Sequence, residues 1–408
     1  MRPRGAAVAG TGFIGPVHVE AVRRLGHRVV GVLGSTPAKG RAAAAALGVP
    51  TAYDDFASVL ADPAAEVIHL ATPNRHHFAQ AKAGLEAGKH VVVEKPLAMT
   101  SGETAELVRL AAARPGQVAA VNYNVRFYPL CLDARARVRG GELGEVFHAT
   151  GSYLQDWLLF PTDFNWRVLA ADGGDLRAVA DIGTHWLDLV GFITGLEIEA
   201  VCADLRTVYP VRQRPAGGSE TFTGSAGGGG EPVPVTTEDY GSILVRFRGG
   251  ARGCVTVSQV TAGRKNCLRF DLAGSKAALA WDSEEPNVLR VGHRGRADER
   301  VSRDPAQLAA AARRFSDYPG GHAEGFPDSH KQLFRAVYAA VNGDPDPGPY
   351  PTFADGHREV LVCEAVLRSH QSQRWEPVSP GDPPSPRPSP PKTGGEGEGP
   401  RVAADPSV

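Results

Sequence analysis

Gly10-Thr11-Gly12-Phe13-Ile14-Gly15 follows a short run of small apolar residues, Ala6-Ala7-Val8-Ala9, and opens an apolar-periodic stretch through Val17, Val19, Val22 and Leu25. The order is strand, glycine turn, helix. In a G-x-G-x-x-G turn the first glycine makes the tight bend and the second lets the backbone approach a diphosphate. The third lets the helix pack on the sheet. Free N–H groups at the helix N-terminus then hold the anion. The alternative is a purely structural glycine turn, but the place of the motif within a βαβ unit favours nucleotide binding.

Working outward, strand and helix signals alternate. Arg28–Leu33 is β-branched and strand-like. Ala38–Leu47 is alanine-rich and stops at Gly48, a helix C-cap. Val67–Ala71 reads as strand, Phe78–Ala87 as helix, His90–Val93 as a buried strand, Ser101–Ala113 as helix and Gln117–Val121 as the last strand. Repeated βα units imply a doubly wound parallel sheet with ligands at the carboxyl ends of its strands.

After Asn124 the texture changes to longer alternating strands: Val146–Tyr153, Ile198–Val208, Ser242–Phe247, Gly253–Val260, Cys267–Leu272 and Ala277–Trp281. Helical stretches Pro129–Arg139, Thr184–Ile193, His330–Val341 and Asp355–Ser369 lie among them. The expected layout is an α/β Rossmann domain over 1–124 and an α+β domain with a large, mainly antiparallel open sheet over 125–376. A Gly/Ser-rich stretch at 214–231 reads as a surface loop. The Pro/Gly-rich tail, 377–408, lacks the periodicity needed to bury a core and reads as disordered.

Composition narrows the function class. The 408 residues carry 44 Lys+Arg against 45 Asp+Glu, a net charge of -1 that gives no reason to expect a nucleic-acid partner. The five cysteines are scattered without a C-x-x-C pair, which reads as reduced thiols in a cytoplasmic protein. No apolar run is long enough for a membrane helix, and the first strand begins too early to leave room for a signal peptide.

Candidate chemistry sits at the carboxyl edge of the parallel sheet. Glu94-Lys95-Pro96 ends a buried strand, where an ammonium can stabilise charge developing on a substrate oxygen. Pro96 keeps Lys95 extended. In Asp181-Ile-Gly-Thr-His185-Trp-Leu-Asp188 the spacing puts Asp181, His185 and Asp188 on one helix face. His185 is a proton acceptor at neutral pH that Asp181 can orient; a helix cap and a packed histidine are the structural alternative. Thr72-Pro73-Asn74-Arg75-His76-His77 follows a strand and would line a cofactor ribose or simply start a helix. Adjacent histidines do not share a helix face, so no metal site is expected. The second strand runs into Gly34-Ser35-Thr36-Pro37-Ala38-Lys39 without the carboxylate that accepts the ribose hydroxyls of NAD. Ser35, Thr36 and Lys39 suit a 2′-phosphate instead, which favours NADP over NAD.

These segments together resemble the Gfo/Idh/MocA oxidoreductases, the family of glucose-fructose oxidoreductase and inositol dehydrogenase. The resemblance rests on Gly10–Gly15, on Pro73-Asn74 with His77, and on Ala87-Gly88-Lys89-His90-Val91 leading to Glu94-Lys95-Pro96. It continues through Asn124-Val125-Arg126-Phe127, Asp181 to Asp188, and Tyr350-Pro351-Thr352-Phe353 with Asp355-Gly356. It implies reversible hydride transfer between a nicotinamide and a secondary alcohol carbon of a sugar, polyol or related compound, with Lys95, Asp181 and His185 as the catalytic trio. It also implies a homodimer or homotetramer formed through the open sheet. Cofactor contacts are expected from Gly10, Gly12, Phe13, Ile14, Gly15, Ser35, Thr36, Lys39, Thr72, Pro73, Asn74, His77, Glu94, Lys95 and Asn124. Substrate contacts are expected from Lys95, Arg126, Tyr153, Trp166, Arg167 and His185. Two other activities occur on the family's branches: glycoside hydrolysis by transient oxidation, and nucleotide-dependent regulation without catalysis.

Overall fold

Continuous apolar runs become a six-stranded parallel sheet in the computed structural model, which describes residues 2–215 and 230–379. Its strands are β1 (Gly5–Ala9), β2 (Arg28–Leu33), β3 (Thr51–Tyr53), β4 (Val67–Leu70), β5 (His90–Val93) and β6 (Ala119–Val121). They lie in the order β3-β2-β1-β4-β5-β6. Helices α1 (Ile14–Arg24), α2 (Pro37–Leu47), α3 (Phe56–Ala61), α4 (His77–Glu86) and α5 (Ser101–Ala112) connect them. The winding reverses between β1 and β4, so the loops after those strands flank the crevice where such sheets bind ligands.

Every residue of β4 and the three valines of β5 are buried, which explains why these strands read as unbroken hydrophobic runs. The sequence reading missed β3 and α3. Both are too short to show a period, although Asp55 caps α3 by accepting from the Ser58 N–H at 2.7 Å.

Beyond Asn124 the chain builds α6 (Pro129–Arg139), β7 (Val146–Leu154), α7 (Ala170–Gly173), α8 (Thr184–Thr194), β8 (Ile198–Arg206), β9 (Val211–Arg214) and β10 (Glu231–Pro234). Next come β11 (Tyr240–Phe247), β12 (Arg252–Ser258), β13 (Cys267–Gly274), β14 (Ala278–Asp282), β15 (Val288–Gly292) and β16 (Glu299–Ser302). The chain ends in α9 (Ala310–Arg313), α10 (Phe326–Val341), α11 (Phe353–Ser372) and β17 (Glu376–Pro377). Nine strands form one sheet in the order β16-β15-β14-β13-β7-β12-β11-β8-β17, antiparallel except for the β7–β12 pair. Along β11, Gly241, Ile243, Val245 and Phe247 are buried while Leu244 and Arg246 face outward. One face is therefore core and the other open.

Helix α10 starts at Phe326, four residues before the expected His330. The last helices return to the first sheet: α10 packs on α1, and Thr352, just before α11, bridges to Ala120 in β6. The described residues up to Val378 accordingly pack as one unit. Most of the Gly-rich stretch and all but the first residues of the tail lie outside the described residues. Among the described residues no helix is long and apolar enough to cross a membrane.

Candidate active site

The turn after β1 has the features a dinucleotide needs. Gly10 sits at φ +102°, and a Cβ there would meet the Ala71 carbonyl oxygen at 2.2 Å. A Cβ on Gly15 would meet the Gly10 carbonyl oxygen at the same distance. A Cβ on Gly12 would meet nothing within 4 Å, so the space over the middle glycine is open. No side chain caps α1. The residues present therefore fit a diphosphate held by α1's first N–H groups. Exposed Phe13 stacks on Phe326, with centroids 6.3 Å apart.

The segment after β2, expected at the ribose end, is exposed. Ser35, Thr36 and Lys39 are all solvent-accessible, and no carboxylate follows Leu33. The Thr36 hydroxyl caps α2 by accepting from the Lys39 N–H at 3.2 Å. Thr72 donates to Gln80, and the Asn74 amide donates to the Gly173 carbonyl at 2.9 Å. His77 is fully buried with its two ring nitrogens facing the carbonyls of Pro96 and Thr72, each at 2.8 Å. It thus braces the loops after β4 and β5 from behind.

Lys95 leaves β5 and turns to the second sheet. Its ammonium donates to Asp181 twice, to Oδ1 and to the backbone carbonyl, both at 2.7 Å. The Asp181 carboxylate also receives Gln259 Nε2 at 2.8 Å and faces Arg167 Nε at 3.3 Å. Burial alone would raise the Asp181 pKa, but Lys95, then Arg167, hold it far below the usual carboxylate range.

The expected regular helix face is corrected here. Asp181 lies in a π-helical turn, Val179–Gly183, that precedes α8, so the spacing to His185 is not an ordinary helical one. Its carboxylate is directed to Lys95, Gln259 and Arg167 rather than to His185.

His185, in the first turn of α8, lines a cavity with Asn124, Tyr128, Tyr153, Asn266 and Phe326. His185 Nδ1 is buried and finds no partner among the described residues. Burial and the nearby Lys95 charge push the His185 pKa down to about 3. The ring is therefore neutral at physiological pH. Tyr153 lies on β7 and donates to Asn266 Oδ1 at 2.7 Å, an oxygen that Gln155 also reaches at 2.8 Å. Arg167 stacks over the Trp166 ring at 4.5 Å. The Asn124 amide donates to Ser329 at 2.8 Å.

Two expected contacts are placed differently. Arg126 is buried and bonds Asp188 with two nitrogens, one at 2.7 Å, and Asp355 at 3.0 Å. Its guanidinium ties α8 to α11 and is spent on carboxylates, so it does not face the His185 cavity. Glu94 points back into the fold, to His18 and Asn122. Gln259, Asn266 and Gln155 were not singled out from the sequence. Gln155 and Gln259 follow β7 and β12 and Asn266 precedes β13; the pairing of these strands brings them here, and no local pattern marks them.

Residues 4–123 match the model of the oxidoreductase family with an NAD-binding Rossmann fold, and residues 131–280 match the GFO/IDH/MocA C-terminal domain. Levoglucosan dehydrogenase of Pseudarthrobacter phenanthrenivorans is 31% identical over 343 residues, 82% of this chain and 86% of that protein. A solved levoglucosan dehydrogenase in complex with NADH and L-sorbose superposes with a TM-score of 0.83 at 26% identity, covering 93% of this chain and 100% of that one. An inositol dehydrogenase homolog from Azotobacter vinelandii, complexed with NADH and myo-inositol, gives a TM-score of 0.79 at 28% identity over 92% and 98% of the two chains. Glycine turn, Lys95–Asp181 pair, open mixed sheet and these likenesses agree: the chain belongs to the Gfo/Idh/MocA family of NAD-binding oxidoreductases.

Proposed function

We propose that this protein is a dehydrogenase that moves hydride between a nicotinamide dinucleotide and a secondary alcohol or ketone carbon of a sugar, polyol or related compound. The observation that carries this reading is the pairing of a buried ammonium with a neutral imidazole at the cleft. Lys95 spends two of its three N–H groups on Asp181 and keeps one for a substrate oxygen. His185 is held in the form that accepts a proton. In the oxidative direction the hydroxyl proton goes to His185 and Lys95 stabilises the oxygen as it becomes a carbonyl. The dinucleotide, held by Gly10–Gly15, supplies the hydride-accepting ring. Tyr153, Trp166 and Arg167 are the proposed sugar contacts.

NADP is the favoured cofactor in this reading, because the β2 exit offers hydroxyls and an ammonium but no carboxylate to repel a 2′-phosphate. The complexes with NADH belong to the relatives. The open sheet face, with Phe147 and Leu244 each 51% exposed, is the proposed homo-oligomer surface. Five free thiols suit a cytoplasmic setting.

The test is a panel of sugars and polyols assayed in both directions with NAD and NADP. Cofactor-dependent turnover of one class supports the proposal. Release from a nitrophenyl glycoside without net cofactor turnover would make the protein a hydrolase. Tight cofactor binding with no turnover on any substrate would make it a regulator.

A further inference from the structure

Glu94 adjoins Lys95, yet its carboxylate is the first member of a hydrogen-bonded chain running away from the cleft. Glu94 Oε1 lies 2.9 Å from His18 Nε2 and also accepts from the Asn122 amide. His18 Nδ1 faces His69 Nδ1 at 3.1 Å. His69 Nε2 meets the Tyr338 hydroxyl at 3.0 Å. Both histidines and the tyrosine are fully buried. The chain crosses α1, β4 and α10, three elements far apart in sequence.

The groups facing His18 can be named. Glu94, with Lys95 next to it, comes from the end of β5. His69 comes from β4, and Asn122 from the end of β6. His330 and Phe334 come from α10, with ring centroids 6.1 and 4.9 Å from His18. Phe334 packs edge-on against both imidazoles and seals them from water.

Hydrogen counting restricts this chain. Burial alone would raise the Glu94 pKa, but the His18 bond, Lys95 and His330 hold it far below the usual range, so it is ionised and only accepts. His18 Nε2 therefore carries a hydrogen. Burial pushes His69 well below the usual range, so its ring holds one hydrogen. The contact between the two Nδ1 atoms needs one hydrogen between them. It can come from His69, whose Nε2 then accepts from Tyr338. It can instead come from a doubly protonated His18, and His69 Nε2 then donates to the tyrosine oxygen. Both arrangements satisfy all three of these contacts. They differ by one proton and by the direction of two hydrogen bonds.

We propose that the chain Glu94–His18–His69–Tyr338 is a proton store coupled to the dinucleotide site, taking up one proton when the anionic dinucleotide binds. The inference rests on the reading of Gly10–Gly15 as the diphosphate site. His18 lies four residues into α1 from Ile14, about 6 Å along the helix at 1.5 Å per residue. A diphosphate at that N-terminus adds negative charge which favours the cationic imidazole. The proton has a prepared place, because His69 accommodates it by exchanging tautomers without leaving a buried polar atom unpaired.

The test is calorimetric titration of the full chain with NADPH and NADH at neutral pH, in buffers of different ionisation enthalpy. The dependence of the observed heat on the buffer counts protons taken up. Wild type should take up a positive number, at most one from this chain. His18→Gln keeps an amide donor for Glu94 but cannot hold the proton, and should bind cofactor with the uptake lost. Tyr338→Phe removes the end of the chain and should reduce the uptake, so the proposal does not depend on one variant folding. Binding without uptake in wild type overturns the proposal, as does uptake unchanged in His18→Gln. Absence of any cofactor binding in wild type would instead overturn the dinucleotide reading, and this inference with it.

Discussion

Replacing Lys95 with methionine removes the charge and keeps most of the side-chain volume, so it separates chemistry from packing. The ammonium sits 2.7 Å from Asp181 Oδ1 and from its carbonyl, with side-chain exposure of 13%. The loss on turnover is that of one preorganised donor aimed at developing negative charge, which is about 10²–10³-fold, or roughly 3–4 kcal/mol of barrier. The loss on stability is smaller. Breaking a buried ion pair costs about 3–5 kcal/mol when the remaining charge is stranded. Asp181 is not stranded, because Gln259 at 2.8 Å and Arg167 at 3.3 Å still serve it. A loss of about 1–2 kcal/mol is therefore expected, the scale of a hydrogen bond to a charged group. Cofactor affinity should hardly move, since the diphosphate site lies at the β1 turn. The assays are reduced-cofactor absorbance with the best substrate of the panel, denaturant unfolding, and cofactor titration. Turnover within about tenfold of wild type would refute the role given to Lys95. A collapse of stability equal to the collapse of turnover would show that the residue is structural.

Other outcomes follow from the same geometry. His185→Asn should lower turnover by about 10²–10⁴-fold at unchanged cofactor affinity, and near wild-type turnover across pH would move the base elsewhere. Ser35→Asp should shift the ratio of NADP to NAD dissociation constants toward NAD, by adding a ribose acceptor and repelling a 2′-phosphate; a wild-type ratio strongly favouring NAD would contradict the reading of the β2 exit. Acid should cost the fold the stability that two buried histidines hold, against an opposing gain from Glu238, whose carboxyl burial pushes up to about 7. Burial lowers His185 to about 3 and His330 to about 4, so the unfolded chain binds protons that the folded one refuses. This stability is fully present above about pH 6.5 and is lost as pH falls toward the folded values, about 2 kcal/mol per histidine by about pH 5. A change in urea midpoint between pH 7.5 and 5 that is the same in His330→Asn as in wild type would exclude it.

The parallel sheet was legible because burial on both faces makes its strands unbroken apolar runs, as in Val91-Val92-Val93. The large sheet was legible as alternation, though not its order, since β7 meets β12 and β13 only through long-range pairing. Lys95 could be placed at the ligand edge from chain position alone. The partner of Asp181 could not, because the π turn adds a residue that a 3.6-residue period does not anticipate. Arg126 was expected among the substrate contacts, and only the fold brings Asp355, 229 residues away, to one of its nitrogens. His18 was hidden inside the fingerprint helix, where the apolar period at Val19 and Val22 drew the reading, and nothing nearby announces that Glu94 lies beneath it.

The position of the chemistry follows from where the two sheets meet. Asp181 collects Lys95 from the end of β5, Arg167 from the short turn Trp166–Val168, and Gln259 from just beyond β12. One carboxylate thus fixes a group from the parallel sheet to groups carried by the second sheet and its connections. Side chains on a single element could not do this, because neither sheet alone supplies both the ammonium and its anchor. Arg126 performs the matching task on the far side of α8, clamping it through Asp188 to α11, which itself rests on β6. Helix α8 is therefore held at both ends of its first turns, by Asp181 just before it and Asp188 within it. His185 lies between those two anchors, so its ring, whose Nδ1 finds no partner among the described residues, is set by the docking of the sheets.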